Sequence, residues 1–154
     1  MDLGLSNRTA FVAGASKGLG RATAHELARE GCSVALCSRD GDRIRTAAEA
    51  IRDDTGAEVL PLVCDVTDAE QVESAIAQTA NTFGGLHVLV TNAGGPPSGA
   101  ATELDPSDYR DAVELNLMST ISLCDAALPH LRTAAAEDDH ARVIMVTSVS
   151  SKQP

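Results

Sequence analysis

Three glycines, at positions 14, 18 and 20 of the stretch AGASKGLG, stand between a short apolar run and the helical pattern RATAHELARE. Glycine at this spacing permits a tight turn and close approach of the backbone to a bound group. At the mouth of a helix, the exposed N–H groups and the helix dipole then favour an anion such as a pyrophosphate. A glycine triplet alone is weak evidence, but a strand before it and a helix after it supply the context of a dinucleotide-binding loop. Gly14, Ser16, Lys17, Gly18, Leu19 and Gly20 are therefore candidate cofactor-binding residues. Near the end of the next apolar run, where such folds place an acidic residue to hold a ribose 2′-hydroxyl, this chain has Ser38 and Arg39. A hydroxyl and a guanidinium, with Lys17 inside the loop, suit a 2′-phosphate instead. NADP is the favoured cofactor, and the neighbouring Asp40 keeps NAD as the alternative.

Positioning these residues requires regular elements, and the hydrophobic period switches to provide them. TAFVAG (9–14), SVALCS (33–38), EVLPLVC (58–64), HVLVTN (87–92) and RVIMVTS (142–148) are continuous apolar runs, the pattern of strands covered on both faces. Between them, Val72, Ala75, Ile76, Thr79 and Phe83 follow a helical spacing, with Thr67 and Glu70 reading as a capping box ahead of them. Asp105 and Pro106 open another helix as cap and first residue, and a third runs around Ile44 to Ile51 with Gly56 as its stop. Strands alternating with helices imply βαβ units and a doubly wound parallel α/β sheet of Rossmann type.

Bulk properties remove other classes. The 154 residues are 44% hydrophobic and 22% charged, the composition of an ordinary globular domain. A net charge of −10, with Lys17 and Lys152 the only lysines, argues against a nucleic-acid partner. No apolar run approaches the roughly 18 residues of a membrane span, and MDLGLSNR lacks the layout of a secretory leader, so the chain reads as cytoplasmic. Cys32, Cys37, Cys64 and Cys124 have no metal-ligand spacing and sit in apolar segments, so they read as buried free thiols. His25, His87, His130 and His140 likewise form no ligand pattern, and no metal site is expected.

AGASKGLG, CDVTD (64–68), TNAG (91–94), LNLMS (115–119) and RVIMVTSVS (142–150) occur in the order and approximate spacing of the short-chain dehydrogenase/reductase family, which the chain resembles over essentially its whole length. The resemblance implies hydride transfer between a nicotinamide and a small-molecule carbonyl or alcohol, as in 3-oxoacyl, sugar or steroid reductases. It implies that Asp65 accepts from the adenine amino group beside the Val66 N–H, and that Asn92, Ala93 and Gly94 line the cofactor ribose. It further implies that Asn116 supports a proton-relay water, and that Ser148 orients the reacting carbonyl. Thr147, Ser150 and Ser151 crowd that serine.

The family also calls for a Tyr-x-x-x-Lys pair about a dozen residues after the serine. Here Tyr109 is followed four residues later by Val113 and precedes Asn116, and Lys152 comes too early. The expectation is a single cofactor-binding domain, 1–154, truncated after its fifth strand and incomplete at its C-terminus. Alone it would be inactive, and its full-length form would be a homo-oligomer. The alternatives are a non-catalytic dinucleotide-binding module needing a partner chain, and a diverged reductase without the Tyr-Lys pair.

Overall fold

The computed structural model describes residues 3–95, 99, 100, 102–138 and 140–148. Five strands, β1 (Thr9–Val12), β2 (Ser33–Ser38), β3 (Val59–Val63), β4 (Val88–Thr91) and β5 (Arg142–Met145), form one sheet in the order β3-β2-β1-β4-β5. Every pairing is parallel. Helices α1 (Gly18–Arg29), α2 (Gly41–Thr55) and α3 (Ala69–Phe83) connect the first four strands. Helix α4 (Pro106–Val113), a wider π turn (Glu114–Met118) and α5 (Ser119–Asp138) then lead to β5. The chain moves outward from β1 to β3, then crosses back to place β4 on the other side of β1. The β1 and β4 ends flank that reversal, where open α/β sheets bind ligands.

The period-two alternation of the central strands divides the core into two layers. Ala10, Val12, Val34, Leu36, Val88 and Val90 face Ile44, Ala48 and Ile51 of α2 and Ala24 and Ala28 of α1. Phe11, Ala35, Leu62 and Leu89 face Val72 and Ile76 of α3 and Leu123, Ala127 and Leu131 of α5. Burial on both faces is why these segments read as unbroken apolar runs rather than alternating ones.

β5 departs from that expectation. All four of its residues are exposed, Met145 at 56%. It is an edge strand paired only with β4, and the described residues do not cover it as they cover β1. A second apolar surface runs along α4, the π turn and α5, where Tyr109, Val113, Leu117, Ile121 and Leu128 are all exposed. Tyr109 is thus an outward residue of α4.

The strands are shorter than the apolar runs, β5 ending at Met145 and β1 at Val12, while the expected helix caps hold with one displacement. α2 ends at Gly56, whose φ of 70° gives the left-handed cap, and Asp105 caps α4 in a capping box closed by Asp108. α3, however, is capped by Asp68 rather than Thr67, its carboxylate accepting from the N–H groups of Glu70 and Gln71. Thr67 is engaged elsewhere, donating through backbone and hydroxyl to Asp65 Oδ1 at 3.0 and 2.8 Å. Hydrogen bonds from the Gln71 backbone and side chain hold the Asp68 carboxyl below the usual carboxylate range. A depressed folded-state pKa gives stability that is present above the unfolded value and lost as pH falls through the folded one. Asp68→Ala is therefore expected to lower the thermal midpoint at neutral pH, with the gap to wild type closing in acid, as followed by circular dichroism.

Cys32, Cys37 and Cys64 are buried free thiols, whereas Cys124 is only half-buried. Burial pushes the Cys32 thiol up to about 11. His87 is buried and accepts the Thr9 N–H at Nδ1, 3.1 Å, at the start of the β1–β4 ladder. His25 instead meets Asp54 at 2.8 Å on the surface. No group of His, Cys, Asp or Glu able to hold a metal ion occurs among the described residues. No described helix is long and apolar enough to cross a membrane.

Candidate functional site

The loop from β1 into α1 is folded around its glycines. Gly14 has φ 60°, and a Cβ there would lie 2.5 Å from the Asn92 carbonyl oxygen. Gly20 is buried in the first turn of α1, where a Cβ would collide with the Gly14 carbonyl and stand 2.7 Å from Asn92 Nδ2. Asn92, immediately after β4, donates its side-chain amide to the carbonyls of Ala13 (3.3 Å) and Gly14 (3.2 Å). The two strand ends at the reversal of the sheet are thereby tied together, a structural task for Asn92 beyond the ribose contact implied by resemblance.

Helix α1 differs from its neighbours at its N-terminus. Asp40, Asp68 and Asp105 cap α2, α3 and α4, but the N-cap residue of α1, Lys17, supplies no side-chain cap and the first turn holds no acidic residue. An uncapped first turn leaves several N–H groups without intrahelical partners, and those groups point at whatever occupies the loop.

A groove of about 350 Å³ opens here across the C-terminal ends of the strands. Gly14, Ser16, Lys17 and Gly18 form one wall and Ser38 and Arg39 another, with Val66, Asn92, Ala93 and Gly94 also in the lining. Asp40, weighed above as the carboxylate favouring NAD, also lines the groove, and three further lining residues, Arg43, Cys64 and Leu115, were not anticipated as contacts. Of these, Arg43 carried a readable signal: it lies four residues after Arg39, in the first turn of α2. The charged lining residues are three cations, Lys17, Arg39 and Arg43, and one carboxylate, Asp40. That local excess of positive charge stands out in a chain with 22 acidic and 12 basic residues. The thiol of Cys64, which lines the groove, and then burial push the buried Cys37 thiol well above its usual range.

Leu19 and Gly20 do not line the groove. Leu19 is 69% exposed, while Gly20 packs beneath the loop. Asp65 lies beside the groove rather than in its lining, with Oδ1 occupied by Thr67. Asn116 sits in the π turn, exposed, donating Nδ2 to the Ala112 carbonyl at 2.8 Å. Wide turns of this kind recur at functional sites. Ser148 follows β5 and is exposed. Val149 to Pro154, including Ser150, Ser151 and Lys152, lie outside the described residues, as do residues 96–98 of the GGPPSGA segment.

A family model described as short chain dehydrogenase matches residues 8–154. Among curated proteins, an oxidoreductase of Staphylococcus saprophyticus is 32% identical over 146 residues, covering 95% of this chain and 61% of its own length. Among solved structures, L-sorbose reductase from Gluconobacter frateurii, complexed with NADPH and L-sorbose, superposes with a TM-score of 0.92 at 30% identity, over 100% of this chain and 57% of that one. An alcohol dehydrogenase from the archaeon Thermococcus sibiricus, complexed with 5-hydroxy-NADP, gives 0.84 at 31% identity, over 92% and 58%. The chain thus spans about three fifths of the length of these relatives.

Proposed function

Since the chain belongs to the short-chain dehydrogenase/reductase family, we propose that it is the cofactor-binding part of an NADP-preferring oxidoreductase acting on a small-molecule carbonyl or alcohol. The observation that carries this reading is the groove: an uncapped helix start on one side and a cluster of cations at the end of β2 on the other. The residues fit the cofactor. Gly14, Gly18 and the first turn of α1 would hold the pyrophosphate, and the shape of the loop there depends on Gly14 and Gly20, where a Cβ would strike the Asn92 and Gly14 carbonyls. Ser38, Arg39 and Lys17 would hold the 2′-phosphate, Asp65 and Val66 the adenine, and Asn92, Ala93 and Gly94 the ribose. When bound, the nicotinamide supplies or accepts a hydride.

The chain's own residues would arrange the other reactant. Ser148 would donate a hydrogen bond to the carbonyl oxygen, and Asn116 would hold a water for proton delivery. The proton donor itself is not among these 154 residues in the family's pattern, because Tyr109 is exposed on α4 and is followed four residues later by Val113. An unperturbed phenol would in any case be a poor base at neutral pH. This polypeptide by itself should therefore bind nucleotide without appreciable turnover. The exposed row of Tyr109, Val113, Leu117 and Ile121 supports assembly of the whole protein through this helix, an apolar surface that a second copy would cover.

The decisive test is a fluorescence titration of the chain with NADPH and NADH, alongside Arg39→Ala. Tighter NADPH binding is expected, weakened by on the order of tenfold or more in the variant through loss of a charge-assisted hydrogen bond. Equal binding of the two cofactors by the wild type would overturn the NADP preference. Binding of neither would overturn the nucleotide-site reading.

A further inference from the structure

Asp40 occupies an ambiguous position. A carboxylate lining the groove just beyond β2 could accept ribose hydroxyls and repel a phosphate, against the preference drawn above. The geometry resolves the conflict, because both of its oxygens are already committed. Oδ1 accepts the Arg43 backbone N–H at 3.0 Å as the cap of α2, and Oδ2 meets Arg43 Nε at 3.1 Å. The pair meets through Nε, and among the described residues no hydrogen bond engages the two terminal amino groups of the guanidinium. Ser38 Oγ donates to the Asp40 carbonyl at 3.1 Å, so the β2 end and the α2 cap are joined. Arg39, by contrast, makes no hydrogen bond or ion pair among the described residues.

We propose that Asp40 and Arg43 form a second selector for a nucleotide 2′-phosphate, Arg43 offering its terminal N–H groups to the phosphate and Asp40 serving as the positioning residue. The inference rests on the dinucleotide reading of the groove and adds a conditional element to it. While Arg43 is present, the carboxylate is paired with its guanidinium and turned to its cap. Without Arg43, Oδ2 is released beside the phosphate position, where it repels a dianion and accepts a ribose hydroxyl. Loss of Arg43 therefore removes a donor and also uncovers an opposing charge. Arg39, which masks no carboxylate, has only the first effect.

This asymmetry is measurable with 2′,5′-ADP and 5′-ADP, two nucleotides that differ only in the 2′-phosphate, titrated calorimetrically onto the 154-residue chain. Wild type, Arg43→Ala, Arg43→Lys, Asp40→Asn and the double variant Asp40→Asn/Arg43→Ala are compared. Asn caps a helix as well as Asp, so α2 keeps its start in the Asp40 variants. The selectivity ratio, 2′,5′-ADP over 5′-ADP, should fall on the order of 10- to 100-fold in Arg43→Ala. The double variant should recover several-fold of that loss, on the order expected for removing a like charge at a partly exposed site. Arg43→Lys should retain an intermediate ratio, keeping the charge without the planar fork.

Binding of 5′-ADP reports a folded groove in each variant. If Arg43→Ala binds 5′-ADP and keeps the wild-type ratio, the second selector is refuted and the nucleotide reading stands. If the double variant is no better than Arg43→Ala, the masking role of Asp40 is refuted. If the wild type binds neither nucleotide, or does not distinguish them, the underlying reading fails and this inference falls with it. A ratio that collapses in Arg43→Ala and recovers in the double variant supports both parts.

Discussion

Gly20→Ala is expected to abolish detectable NADPH binding and to lower stability to urea by about 2 to 3 kcal/mol, the upper range for overpacking a well-filled site. A methyl group at this position would point at the Gly14 carbonyl and at Asn92 Nδ2, 2.7 Å away. Neither neighbour is free to retreat, because the two are hydrogen-bonded to each other at 3.2 Å. Relief requires pushing the glycine loop off the end of β1, which deforms the groove wall. Gly56→Ala is the control: its φ of 70° makes it costly by about 1 kcal/mol, but nothing lies within 4 Å of its Cβ and it is remote from the groove. It should lose stability without losing nucleotide. Retention of binding in Gly20→Ala within twofold of wild type would contradict the packing account of this loop.

Asn92→Asp should be the most damaging near-isosteric change in the chain. The side-chain amide faces two carbonyl oxygens, those of Ala13 and Gly14, and an ionised carboxylate presents only acceptors to them. The lost donor and the opposed charge together are expected to cost about 3 kcal/mol, against about 1 to 2 kcal/mol for Asn92→Ala, which merely leaves the carbonyls unpaired. Protonation distinguishes the two variants. The introduced carboxyl should have its folded-state pKa raised above the unfolded value, since only its protonated form can donate to a carbonyl. Its penalty is then full above the folded pKa and shrinks as pH falls toward the unfolded one. Urea midpoints measured at neutral and mildly acidic pH should converge for Asn92→Asp and wild type, while the deficit of Asn92→Ala stays fixed.

How much of this was legible in the sequence depended on whether one physical cause dominated each segment. The central strands were plain because helices cover both faces, so Phe11 and Val12 are both buried although they point opposite ways. β5 carried the same apolar signature but is exposed, since burial of a strand depends on its neighbours as much as on its own residues. The start of α3 was displaced by one residue because Thr67 and Asp68 are both competent caps, and the choice was settled by Asp65, which takes the threonine. The glycine wall, Ser38, Arg39 and the 92–94 turn line one groove, since backbone shape at strand ends is encoded locally. Arg43 stands four residues after Arg39 but inside an amphipathic helix, where it reads as an ordinary surface arginine. Its importance comes from a partner, Asp40, whose engagement is visible only in three dimensions.

The π turn at Glu114–Met118 was not foreseen either, yet it leaves a trace in the spacing Tyr109, Val113, Leu117, Ile121. In a regular α-helix a row of every fourth residue slides around the axis by about 40° per step. One wide turn absorbs an extra residue and resets that drift, so all four side chains emerge together at the surface. Loss of a single codon within this turn would leave the helix just as apolar and just as able to form. It would nevertheless swing the residues on one side of the deletion out of line with those on the other. For this surface, a one-residue insertion or deletion is a larger event than most substitutions.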